Sequence, residues 1–376
     1  TDGLPLFVAG VIDDLVACPT PDGDPHARLA VMAIPETLSG VIERYVEELT
    51  PQQRSLLEAA SVCGVQFRLS TVARILDVDP MTLTEPCAEL ARCQRWLKDL
   101  PLPADSPPSE SGYVFRHALY REVLYKRVGR LARVDLHRKV AAALERERTQ
   151  GLNVGAAEIA SHFDLGREPL SALGWYAEAA ESALLHFSPA QTLSLTERAM
   201  ALLPQVEPSA ARATNEMTLA TLRGTAAMQV MGFSSADVKQ AFERALPLLD
   251  EVPEHPLRGL VLSVLGLAYE MSGELERATA IARRSEALWQ ANADRTALVC
   301  ACLVHALLER DRGRPSGARE WLEKGIRAME KLDASTSPAV FAADAGVMML
   351  GLLGLELHAL GLVEQGRQRI EAACAR

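Results

Sequence analysis

Three sets of residues in this chain could carry chemistry. The first is a basic run, Arg116, Arg121, Lys126, Arg127, Arg130, Arg133, Arg138 and Lys139, with few acids between them. A cationic stripe of this density attracts polyanions, and beside a small helical domain it invites a DNA reading. The helix expected over Pro80–Arg92 argues against that reading. It offers Leu83, Glu85, Glu89 and Leu90, with Arg92 alone at its end, whereas a helix entering a major groove needs Arg, Asn or Gln along one face. The stripe is therefore expected to meet an acidic surface, a phosphate or solvent. The second set is Glu158 with His162, four apart on a helix, but the His-Glu-x-x-His zinc pattern is absent. The third is the thiols. Seven cysteines, among them Cys300-x-Cys302 and the group Cys63, Cys87 and Cys93, lack histidines at zinc-ligand spacing. Their odd number fits a reducing compartment, where cysteine packs as a small hydrophobe. No G-x-x-x-x-G-K-S/T phosphate loop and no G-x-S-x-G elbow occurs. The chain by itself is expected to be no enzyme.

The composition says which elements must position these groups. The 376 residues are 48% hydrophobic but only 5% aromatic, and Ala and Leu dominate. Such residues lose little conformational freedom in a helix, so a mostly α chain is expected. The net charge of −10 speaks against the chain as a whole being a nucleic-acid binder. The stretch Leu6–Val16 is apolar but holds Asp13 and Asp14 and lacks a basic lead-in, so it does not read as a signal peptide. Val347–Leu362 is apolar but interrupted by Glu356 and His358, which suits a buried repeat helix better than a membrane span. A cytoplasmic protein without membrane contact is expected.

Along the chain, Leu38, Val41, Ile42, Tyr45, Val46 and Leu49 recur at helical spacing. Thr50-Pro51-Gln52-Gln53 supplies an N-cap, a first-turn proline and a capping-box glutamine. Short helices are expected over 70–76 and 79–92, then strands over Gln94–Leu97 and Tyr113–Phe115 joined by the Pro-rich 101–108. Three helices followed by a two-stranded ribbon is the order of a winged helix. Amphipathic helices are expected over 117–128 and 131–148. From about residue 154 the chain reads as paired helices, with turns at Gly232, Gly273, Gly313 and Gly361 about 40 residues apart, in the range of helical-pair solenoids. Ala278 and Ala318 would let neighbouring helices approach. Trp175, Tyr176, Tyr269, Trp289 and Trp321 would fill the gaps between them.

Four stretches resemble the C-terminal portion of bacterial STAND signalling ATPases, a class related to AAA-type proteins and NB-ARC switches. Gly3-Leu4-Pro5 resembles the G-x-P motif behind the nucleotide site, with Leu4 where bacterial members usually have Asn. The segment from Tyr113 through His117 and Glu122 to Tyr125, with Leu136-His137 downstream, is similar to F-x-H-x-L-x-x-E-x-x-Y. Glu158–Phe163 and Met231–Val238 resemble the entry to the repeat array. The resemblance implies that Pro5 packs on adenine and that His117 touches the β-phosphate of ADP, both in a longer protein that binds ATP or ADP. The absent ATPase core is a departure, and makes an excised piece the expectation. The implied layout is a remnant of the nucleotide-module helical domain with its linker over 1–33, a winged-helix-like domain with its following helices over 34–148, and a TPR-like right-handed α-α superhelix over 149–376. The implied role is the sensor region of an ATP-dependent transcriptional regulator. Its repeat groove would hold a protein, peptide or small inducer, its partner would be a missing N-terminal nucleotide-binding domain, and DNA would be met only through a domain outside this chain. A scaffold or adaptor, or the regulatory region of a cyclase or kinase fusion, remain open.

Overall fold

The computed structural model describes residues 38–93, 95–102, 110–233, 235–292, 295–331 and 345–376. These form two compact units, one ending at Glu168 and the other running from Pro169 to Arg376.

In the first unit α1 (Leu38–Glu47) is followed by α2 (Pro51–Cys63). The capping box at Thr50 forms as its sequence dictates: the hydroxyl accepts from Gln53 N, and the Gln53 side chain accepts from Thr50 N at 3.1 Å. Then come β1 (Gln66–Arg68), α3 (Leu69–Leu76), α4 (Pro80–Arg92), β2 (Leu97–Leu100) and β3 (Gly112–Phe115). The strands make an antiparallel sheet in the order β1-β3-β2. Two expectations are corrected here. The ribbon has a third strand, β1, too short at three residues for a periodicity to register. The second strand lies at Leu97–Leu100, because Leu97 is the residue that pairs with Phe115. Phe67, Leu97, Tyr113 and Phe115 are buried, and the Phe67 ring sits 5.7 Å from that of Phe115. This aromatic cluster holds the sheet together from one face.

Helices α5 (Ala118–Arg127), α6 (Arg130–Thr149) and α7 (Ala156–Leu165) complete the unit. α5 packs on α1 and α2, α6 on α2 and α3, and α7 on α6.

The second unit is a TPR-like array of paired helices. Its elements are α8 (Pro169–Leu185), α9 (Pro189–Met200), α10 (Ala210–Met231), α11 (Ala236–Ala245), the single turn α12 (Leu248–Glu251), α13 (Arg258–Met271), α14 (Leu275–Asn292), α15 (Arg295–Asp311), α16 (Pro315–Met329), α17 (Ala345–Ala359) and α18 (Val363–Ala375). Within it each long helix packs on the next, and α8 on α10 and α13 on α15 as well. That is the contact pattern of a solenoid, in which each pair buries its apolar face against its neighbours. Ala278 and Ala318 are fully buried at these crossings, and Tyr176 and Tyr269 are buried wedges. Gly224 lets the Phe242 ring lie on the α10 backbone, where a Cβ would stand 2.4 Å from the ring.

The turns share one geometry. At Gly273, Gly313 and Gly361 the chain takes φ of +74°, +70° and +79°. The next N–H reaches back five residues, from Glu274 to Tyr269 O (2.8 Å), Arg314 to Glu309 O (2.9 Å) and Leu362 to Leu357 O (2.9 Å). This is the Schellman stop, which satisfies carbonyls the helix end would leave open. Phe187, at φ +55°, makes the same turn without glycine, with Ser188 N bonding Ala183 O at 2.9 Å.

Candidate functional site: the groove of the helical array and the polar core of the first unit

The apolar faces of α13, α15 and α17 leave a groove between them. Leu267 and Met271 come from α13, Leu307 from α15, Met348 and Leu352 from α17, and Phe233 from the turn after α10. The groove encloses about 410 Å³, within the usual span for small-molecule pockets. Helical spacing puts charged groups one turn from the apolar ones. Glu270 follows Leu267, Arg310 follows Leu307, and Glu356 follows Leu352.

Glu270 is buried, and its carboxylate accepts from Arg310 Nη2 at 3.2 Å. Arg310 Nε also lies 3.6 Å from Asp311 Oδ1. Burial pushes the Glu270 carboxyl up to about 7, helped by the neighbouring Asp311 and opposed by Arg310. Burial also raises Glu356, only 5% exposed, with Arg310 again opposing. Glu270 and Asp311 thus share one guanidinium beside an apolar surface, and Glu356 feels its charge from farther away. Such a lining offers an occupant apolar surface beside a paired carboxyl and guanidinium. The sequence reading placed an occupant in the repeat groove but missed these three carboxylates. The available signal was Glu356, a single acid inside an otherwise apolar helix.

In the first unit the residues of the F-x-H-x-L-x-x-E-x-x-Y-like segment separate into two places. His117 is exposed at the start of α5, where its Nδ1 accepts from Leu119 N at 3.3 Å. Tyr125, His137 and His162 come together inside. Tyr125 Oη lies 2.8 Å from His137 Nε2, and His137 Nδ1 lies 2.9 Å from His162 Nδ1. His162 in turn bonds the backbone of Cys63.

This chain has one consistent proton arrangement when both rings are neutral. His162 donates through Nε2 to the Cys63 carbonyl, so its Nδ1 accepts. His137 then donates through Nδ1 and accepts the Tyr125 hydroxyl at Nε2. Burial is the main cause that lowers both imidazoles to about 4. Arg121 and Arg133 add to it at His137, and the two histidines oppose each other's charge.

Much of the basic stripe is already engaged. Arg121 donates to Ser61 O at 2.9 Å, Lys126 pairs with Glu122 at 2.6 Å, Arg138 with Glu168 at 2.9 Å and Lys139 with Asp135 at 3.1 Å. On α4, Arg92, the one basic residue of the helix, is bound to Glu85 at 2.5 Å. Pro5 lies outside the described residues. Among the described residues no group of three or more His, Cys, Asp or Glu side chains could hold a metal ion, and no helix is long and apolar enough to cross a membrane.

No family model matches the chain. An uncharacterized protein of Rhizobium meliloti (strain 1021) is 23% identical over 255 residues, 67% of this chain. The chain spans about a quarter of that relative's length, 24%. Among the solved structures that resemble it are two with helical repeats. One is the set of TPR-like repeats of a kinesin light chain homologue from Podosopora anserina, at 16% identity and TM-score 0.38, covering 55% of this chain and 95% of that one. The other is a STAND protein with a tetratricopeptide repeat sensor from Pyrococcus horikoshii, at 15% identity and TM-score 0.42, covering 91% of this chain and 46% of that one.

Proposed function

We propose that this chain is the sensor region of a STAND-type, ATP-dependent transcriptional regulator of the cytoplasm, in which the helical array binds a protein, peptide or small inducer. The observation that carries the reading is the groove of α13, α15 and α17, an apolar recess that also holds the Glu270–Arg310 pair. A ligand that prefers one arrangement of the switch shifts its population by its differential affinity, and by no more. The chain itself does no catalysis on this reading. ATP or ADP is bound by a nucleotide module elsewhere in the longer protein, where Pro5 and His117 touch adenine and phosphate. The element order of the first unit, with its strand between α2 and α3, supports a winged-helix-like module that packs and switches. The lack of a free basic side chain on α4, whose one arginine is paired with Glu85, supports leaving DNA to another domain.

The test is a thermal-shift screen of metabolites and peptides on this protein, run beside a labelled-DNA titration. A ligand that raises the melting temperature with ln(1 + [L]/Kd), and is lost on Met271→Arg at the groove's exposed lip, upholds the sensor reading. Salt-sensitive DNA binding without such a ligand sinks it.

The second reading, a scaffold or adaptor, is favoured by one observation. Leu185 and Phe187 stand 73% and 84% exposed at the turn between α8 and α9, an apolar pair of the kind that protein interfaces cover.

A further inference from the structure

A second cavity, unrelated to the groove, lies within the first unit and encloses about 400 Å³. Its middle is apolar, walled by Phe67 of β1 and by Val140 and Leu144 of α6. Its polar groups are unusual in what they lack. Glu147, one turn beyond Leu144 on the same face of α6, is only 3% exposed. Thr71 Oγ1 donates to its Oε1 at 2.6 Å, and among the described residues that is the carboxylate's one hydrogen bond. A carboxylate has about four acceptor positions, and leaving them dry is costly. Glu158 of α7 lines the same cavity. Burial and the charge of Glu147 raise its carboxyl, although the residue as a whole is exposed. The Cys63 thiol beside them is pushed up to about 12 by burial and by the two carboxylates, and stays neutral.

Arg68 lines the same cavity, and its Nη1 is buried without an acceptor among the described residues. The carboxylates and the guanidinium do not answer each other's need, since no ion pair joins them. One cavity thus offers an unfilled anionic site, an unfilled cationic site and an apolar wall between. Native structures rarely leave buried polar groups in this state unless something else completes them.

We propose that this cavity binds a free α-amino acid with an apolar side chain, its ammonium at Glu147 and Glu158, its carboxylate at Arg68 Nη1, and its side chain against Phe67, Val140 and Leu144. The three requirements match the three groups of such a zwitterion, and the volume accommodates it. Arg68 is suited to the carboxylate end because its planar fork matches a carboxylate's geometry.

The experiment is a thermal-shift and calorimetric titration of the protein with each of the twenty L-amino acids at millimolar concentration. The strongest is then compared with its own analogues lacking the amino group or the carboxyl group. The amino acid is expected to bind at least tenfold more tightly than either analogue. Arg68→Met and Glu158→Gln, at partly exposed and exposed positions, should keep the unliganded melting temperature and lose at least tenfold in affinity. Met271→Arg in the other unit should leave this binding untouched, which separates the cavity from the groove. The proposal is overturned if no amino acid stabilises the protein, if the amine analogue binds as well as the amino acid, or if Arg68→Met leaves the affinity unchanged.

Discussion

At the scale of single residues, protonation of the imidazole pair has the largest expected effect. His137 and His162 sit at about 4 in the folded protein against about 6.5 in an unfolded chain. Below pH 6.5 the unfolded chain therefore takes up protons that the folded one refuses, and the stability they contribute falls as the pH drops toward 4. At about 1.4 kcal/mol per pH unit, each imidazole costs on the order of 2 kcal/mol by pH 5. The first proton is the milder one. A tautomer shift along Tyr125, His137 and His162 can accept it, while a second would set two N–H groups against each other. Imidazole NMR should show neither ring titrating above pH 5, and the urea midpoint should drop between pH 7 and 5 in the native protein and by about half as much in His162→Gln, where His137 alone remains. A titration near 6.5 at either ring would refute the buried relay. Glu270 works with the opposite sign, because its folded carboxyl is raised to about 7. Its contribution to the second unit is present below the ordinary carboxylate range and is lost as pH rises toward neutrality. Glu270→Gln should accordingly remove a loss of stability between pH 5 and 7.

At the scale of elements, the helix stops make a paired test. Gly313 adopts φ +70°, where a Cβ is strained, so Gly313→Ala should cost about 1 kcal/mol or somewhat more. Phe187 adopts φ +55° with its side chain 84% exposed. Replacing it with glycine relieves backbone strain of about 1–2 kcal/mol against an entropic loss of about 0.5–1 kcal/mol, and forfeits almost no packing. Phe187→Gly should thus be neutral or slightly stabilising. Thermal melts should show a drop for Gly313→Ala and none for Phe187→Gly, and a matched drop in both would refute the strain assigned to Phe187. These turns also show where the sequence was readable. Gly273, Gly313 and Gly361 announced theirs, because only glycine takes that conformation freely. Phe187 gave no such notice, because its conformation is imposed by the helices it joins.

At the scale of the whole molecule, thiol chemistry reports how the two units bury their contents. Cys93 and Cys374 are exposed, whereas Cys63, Cys87, Cys300 and Cys302 are buried. Burial drives Cys87 and Cys302 up to about 12 as it does Cys63, so these thiols lack both access and thiolate. Modification by a disulfide reagent, mapped by peptide mass spectrometry, should label Cys93 and Cys374 within minutes under native conditions. The four buried sites should label only at the rate of unfolding. Prompt native labelling at Cys302 would mean that α15 and α16 open without global unfolding.

The sequence by itself determined the helical character, the capping box at Thr50, the glycine stops and the small residues at the helix crossings. Each of these is local: a propensity, a cap or a φ angle is set by a residue and its near neighbours in the chain. It also drew attention to Tyr125, His137 and His162, but as members of motifs and not as a hydrogen-bonded chain. Only the tertiary structure decided which charges share a dielectric. Glu270, Arg310 and Glu356 lie 40 and 46 residues apart along the chain, and nothing in their spacing says that Arg310 must bind the first and act on the charge of the last. Arg68 and Glu147 likewise reach one cavity from a three-residue strand and from a long helix. Partnering and desolvation are properties of the packed interior, so the unfilled donors and acceptors that mark a binding site become visible only once the chain has folded.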